Sequence, residues 1–132
     1  MDKGELYGGK ETIKHLGYGH IVDKNRIIMD GITLELIPLP STHAKGCLAL
    51  NVEKEYTLLG DGIYATSKNN KIVYNAQLLY ETIQALKAID TQYFVLSHEK
   101  SPIYTKQEII SELTKYYLKK EKNNPYIDIN KK

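Results

Sequence analysis

The chain has 132 residues, the length of one ordinary domain and enough to bury a core. Lys and Arg number 18 against 16 Asp and Glu, a net charge of +2, which is too even a balance to call for nucleic acid as a partner. The single cysteine, Cys47, excludes an internal disulfide framework. No stretch approaches the ~20 apolar residues that span a bilayer, and the polar residues after Met1 lack the apolar run of a signal peptide. The expectation is a single soluble domain over 1–132, cytoplasmic, with no membrane partner.

Residues 1–10 hold three glycines and several charges and read as a loose or ligand-covering lead-in, with 1–20 as a whole loose. Residues 12–18 fit either a short strand or a connector. Strands are expected over 26–29 and 32–37, because Asp30-Gly31 between them is a two-residue hairpin turn signal. Pro38 and Pro40 end the second strand and lead into a loop that carries His43. Leu48, Leu50 and Val52 alternate with Cys47, Ala49 and Asn51, as in a strand with two unlike faces. A polar turn, Glu53-Lys54-Glu55, separates that strand from a short apolar run over 56–59, after which the chain reaches Asp61. Ser67-Lys68-Asn69-Asn70 reads as a polar loop. A helix follows over 75–89, with Leu79, Ile83 and Leu86 at helical spacing and Lys87 placed to suit the helix dipole.

Tyr93-Phe94-Val95-Leu96 is the next strand, and it ends at Ser97-His98-Glu99. Thr105 with Glu108 forms a capping-box pattern that opens a last helix, whose buried stripe is Ile109, Leu113 and Tyr116. The charged tail over 119–132, with Pro125, reads as frayed. The fold class is therefore α/β (α+β), a mixed sheet with helices on one face.

This order has a chemical consequence. A hairpin leaves one sheet edge and returns to it, so Asp61 should come back beside His43. The strand–helix–strand unit over 56–96 joins parallel strands, whose C-terminal ends share an edge, so His98 should arrive at the same place. Each residue alone has a plainer reading: a loop histidine, a carboxylate stabilising its own turn in Gly60-Asp61-Gly62, a strand-ending histidine. Together, two imidazoles and one carboxylate make a ligand set for a first-row transition metal, zinc above all. His15 and His20 read as surface residues ahead of substitute ligands for the site, and Cys47 as a buried, inert thiol unless it faces the loop edge. Lys45 reads as solvated, or as a contact for an anionic substrate. The Tyr116-Tyr117 pair reads as helix packing.

The segments STHAKGCLALNV, YTLLGDGIY and YFVLSHE resemble the second half of the metallo-β-lactamase superfamily. The likeness runs from about Ile21 to Tyr117. His43, Asp61 and His98 match that family's three later metal ligands in order and local setting. The family's His-x-His-x-Asp-His signature is absent, and the spacing of His15 and His20 does not replace it. The resemblance implies half of a four-layer αββα sandwich, a metal-dependent hydrolase truncated to its C-terminal half and catalytically incomplete alone. It also implies zinc, one or two ions, on His43, Asp61 and His98, with Asp61 as a ligand or a bridge, and a small-molecule substrate. No residue is nominated as catalytic, because the family's proton-handling aspartate belongs to the missing motif. The alternative is a degenerate, non-catalytic module that self-associates or binds a partner. One half alone would leave an apolar sheet face in water, so a homodimer or a complementing N-terminal half is expected to cover it.

Overall fold

The computed structural model describes residues 5–29, 31–43 and 46–130. Asp30 and Lys45 lie outside the described residues, as does the part of the lead-in before Glu5.

From Glu5 onward the lead-in is built into secondary structure. β1 (Tyr7–Gly8) and β2 (His20–Ile21) pair in parallel around α1 (Lys10–Leu16), forming a small β–α–β unit. Gly17 closes the helix in a left-handed conformation, φ 80, with its N–H on the carbonyl of Ile13, the usual role of glycine after a helix. Ile13 and Val22 are the unit's buried anchors. The reading of 12–18 as strand or connector fails because the helix is short and set between glycines, Gly8 and Gly9 before it and Gly17 and Gly19 after it, so its seven residues carry too little periodicity to be recognised.

Next come β3 (Arg26–Met29), β4 (Thr33–Pro38), β5 (Leu48–Val52) and β6 (Tyr56–Gly60), an antiparallel meander. In the turn after β5, Glu53 and Lys54 both take left-handed backbone, φ 54 and 58. Asn51 supports that turn, because its Oδ1 accepts from Lys54 N at 3.0 Å. β7 (Thr66–Lys68) and β8 (Lys71–Asn75) then form a second hairpin where a polar loop was expected. Asn69 and Asn70 turn it with φ 51 and 63; asparagine tolerates the left-handed region better than most residues, and two such φ values define a hairpin-type turn.

α2 (Ala76–Ala88) is capped by the Asn75 side chain, which accepts from Leu78 N at 3.0 Å. β9 (Tyr93–Leu96) pairs in parallel with β6, as the strand–helix–strand unit requires, and β10 (Ile103–Thr105) pairs antiparallel with β9. α3 (Lys106–Tyr117) opens with the full capping box of Thr105 and Glu108. The tail is held as well: β11 (Tyr126–Asp128) pairs with β8, and Ala76 N donates to the carbonyl of Pro125 at 2.8 Å. Ile127 is the anchor, buried to 2 % exposure in a segment otherwise read as frayed.

The result is mixed α/β: a six-stranded sheet in the order β10-β9-β6-β5-β4-β3, a three-stranded sheet β11-β8-β7, and the small β1-β2 pair. Phe94, Leu96, Thr57, Leu59, Ala49 and Asn51 alternate along β9, β6 and β5 and are buried. Leu79, Ile83 and Leu86 of α2 and Ile109 and Leu113 of α3 join the apolar members of that set in one core. The opposite face of the large sheet is also apolar. Leu34, Leu36, Leu48, Leu50, Val52 and Val95 there are only half-buried, and Leu58 is 41 % exposed. No helix among the described residues is long and apolar enough to cross a membrane.

Candidate metal centre

Three loops meet at the edge where β6 and β9 end. The first runs over 41–43 after β4. Ser41 Oγ donates to the carbonyl of Gly62 at 3.0 Å and accepts from His43 N at 3.1 Å, while Thr42 Oγ1 donates to the carbonyl of Tyr64 at 3.1 Å. These bonds tie the His43 loop to the second loop, the one after β6 that holds Asp61. The third begins at Ser97, whose N–H donates to the carbonyl of Gly60 at 3.3 Å. His98 then takes left-handed backbone, φ 60, a conformation in which histidine is several-fold enriched among non-glycine residues and which reverses the chain at the strand end.

Asp61 and His98 are brought together, with Nε2 of His98 3.3 Å from Oδ1 of Asp61. Ser97 Oγ donates to the same carboxylate oxygen. That hydroxyl is the main reason the Asp61 carboxyl sits below the usual carboxylate range; partial burial opposes it, and the charges of His98 and then His43 add to the lowering. His43 therefore lies within electrostatic reach of Asp61, but its ring is exposed and its Nδ1 is 3.4 Å from the carbonyl of Ala65. With the proton on Nδ1 facing that carbonyl, Nε2 keeps a free lone pair, the state in which a histidine ligates metal.

Among the described residues, no three His, Cys, Asp or Glu side chains are gathered as a ready-made ligand group. Two donors are in place. Their 3.3 Å separation is that of a hydrogen-bonded imidazole–carboxylate pair, and it also matches the spacing of two ligands bound to one zinc ion at about 2.0–2.1 Å. The donor chemistry fits zinc, and a third ligand from this chain requires the exposed His43 ring to rotate onto the pair.

The other histidines and the cysteine are placed elsewhere. His15 is exposed on α1, His20 stacks on Tyr7 with ring centroids 5.0 Å apart, and Cys47 packs against the main core. Tyr116 and Tyr117 contact Tyr74 and Tyr80 at 5.5 and 5.8 Å, which is packing within and between elements. Sequence reasoning missed Ser97 and Tyr64. The Tyr64 hydroxyl donates to the carbonyl of Ser97 and so steadies the loop that holds His98. The adjacency of Ser97 to His98 was the available signal for the first; nothing local marks the second.

No family model, curated protein or solved structure matches this chain.

Proposed function

We propose that this chain is a metal-dependent hydrolase domain of metallo-β-lactamase-like type, corresponding to the C-terminal half of a four-layer αββα sandwich and catalytically incomplete alone. The observation that carries the reading is the Asp61–His98 pair, 3.3 Å apart at the common C-terminal edge of two parallel strands, with the His43 loop bonded alongside. In this reading His43, Asp61 and His98 hold zinc, one or two ions. Zinc would supply a Lewis acid and lower the pKa of water towards ~7. Ser97 holds the carboxylate of Asp61 ionised and oriented, and the Ala65 carbonyl selects the His43 tautomer that can ligate. A small-molecule substrate would bind at this edge, and the remaining ligands and a proton-handling group would come from a second half or a second copy.

A second reading is favoured by a separate observation, the half-exposed apolar face of the large sheet. There the chain is a non-catalytic module that self-associates or docks a partner through that face. A hydrolase assay separates the two within one experiment. The chain alone, supplied with zinc, is expected to turn over ester, thioester and β-lactam substrates little above background, and more when a complementing half is added. Zinc-dependent turnover by the chain alone, abolished by His43→Ala, would show the half-site to be sufficient. No gain with any complementing half, together with no bound zinc, favours the docking module.

A further inference from the structure

A cleft of about 670 Å³ opens between the end of β9, β10, α3 and the loop after Asp61, within the usual range of small-molecule pockets, about 300–1,000 Å³. Four tyrosines line it: Tyr64, Tyr74, Tyr104 and Tyr116. So do three carboxylates, Glu99, Glu108 and Glu112, against one ammonium, Lys115. The chain as a whole carries a net charge of +2, so the cleft is of the opposite sign to the molecule around it.

The carboxylates are not all neutralised by neighbours. Lys115 lies 3.8 Å from Glu112, with both side chains more than half exposed. Glu108 accepts from the hydroxyl of Thr105 at 3.0 Å as part of the helix cap, and no cationic side chain among the described residues pairs with it. Glu99 meets the hydroxyl of Tyr64 at 3.4 Å. The tyrosines report the same field. Burial raises the Tyr64 phenol, with Glu99 adding to it, and burial raises Tyr116, with Glu112 adding. A neutral phenol ring carries an electron-rich face, which attracts cations.

We propose that this cleft binds a small organic cation with an apolar body, a primary or substituted amine, its charge directed at Glu99 and Glu112 and its body among the tyrosine rings. An anion of the same shape would meet three carboxylates and be rejected. The inference is separate from the metal reading, since none of the cleft's charged residues is a candidate ligand.

The test uses the full chain stripped with EDTA, so that loss of a metal site cannot mimic loss of this one. Phenethylamine, 2-phenylethanol and phenylacetate share one body and differ in charge. Two-dimensional amide NMR titrations are expected to show saturable shifts for phenethylamine at Tyr64, Tyr104 and the first turns of α3. Affinity should fall in the order amine, alcohol, carboxylate, with the amine at least about tenfold tighter than phenylacetate. Glu99→Gln combined with Glu112→Gln, both at exposed positions, should weaken phenethylamine severalfold and leave 2-phenylethanol unchanged. Absence of saturable shifts, shifts confined to other parts of the molecule, phenylacetate binding as tightly as the amine, or a double variant with unaltered preference would each overturn the proposal.

Discussion

Ser97 links two polar contacts: its hydroxyl donates to Asp61, and its carbonyl accepts from Tyr64. A carboxylate held ionised by a hydroxyl is a better metal ligand than one competing for a proton. Tyr64 in turn connects this loop to the cleft floor, where the Tyr74 hydroxyl donates to the carbonyl of Ile63 at 2.8 Å. Burial lifts the Tyr74 phenol far above the ordinary value near ~10, and Tyr116, Glu112 and Tyr64 add to the rise. The folded state thus favours neutral Tyr74. Its contribution to stability is full below pH ~10, where the unfolded phenol is also protonated, and is lost progressively as pH climbs above that value. Thermal unfolding should show Tm falling above pH ~10. Tyr74→Phe should cost about 1 kcal/mol at neutral pH through the lost hydrogen bond, and its Tm should fall less steeply at high pH. An equal alkaline decline in the variant would contradict this assignment. At this scale the sequence placed Asp61 and His98 at one edge, with the His43 loop bonded alongside, because all three stand at strand ends. Ser97 was marked only by its adjacency to His98, and Tyr64 was not legible, because their roles depend on the strand register and on the path of the loop after Asp61.

The β1–α1–β2 unit meets the His43 loop at a backbone contact. A Cβ built on Gly9 would lie 2.3 Å from the carbonyl oxygen of Gly46 and 2.6 Å from its Cα, a clash that no side-chain movement relieves. Gly9→Ala should therefore push the unit away from the segment that follows His43. Zinc affinity is expected to weaken roughly tenfold, as for loss of a supporting contact outside the ligand set, with the fold of the large sheet intact. A chelator-competition titration measures it, and wild-type affinity would show that the contact does not hold the loop. The long elements were legible because their periodicity is strong: the alternation over 48–52, the stripe of α2, and the capping box of α3 all stand where the pattern put them. The short ones were not. α1 spans seven residues, β10 and β11 three each, too few for a period to emerge. The β7–β8 hairpin was hidden because Asn69-Asn70 is a weaker turn signal than Asn-Gly, and β7 is three polar residues. β11 is recruited by pairing with β8 and by Ile127, contacts between parts of the chain some fifty residues apart that local propensity does not encode.

Across the whole molecule, the two long helices cover one face of the six-stranded sheet and leave the other with half-buried leucines and valines. Ile103 is 53 % exposed, and Leu58 41 %. A face of ~600 Å² would be worth on the order of 15 kcal/mol at about 25 cal/mol per Å², before an association cost of roughly 4–15 kcal/mol is subtracted. A second copy related by twofold symmetry is the simplest cover, since one apolar patch then serves both sides of the interface. Sedimentation equilibrium at low micromolar concentration should give a species of twice 15.1 kDa. Leu50→Lys, on the uncovered face, should shift it to monomer. A compact, cooperatively unfolding wild-type monomer would mean that the half-exposed face is stable in water and that no second half is required.

The central claim, an ion held at the edge where β6 and β9 end, is tested most directly by elemental analysis of the protein after dialysis. The wild-type chain should retain zinc at no more than about one ion per chain. The Asp61→Ala, His98→Ala double variant should lose it while keeping the circular dichroism of the wild type. Equal zinc content in the two proteins would contradict the assignment of Asp61 and His98 as ligands.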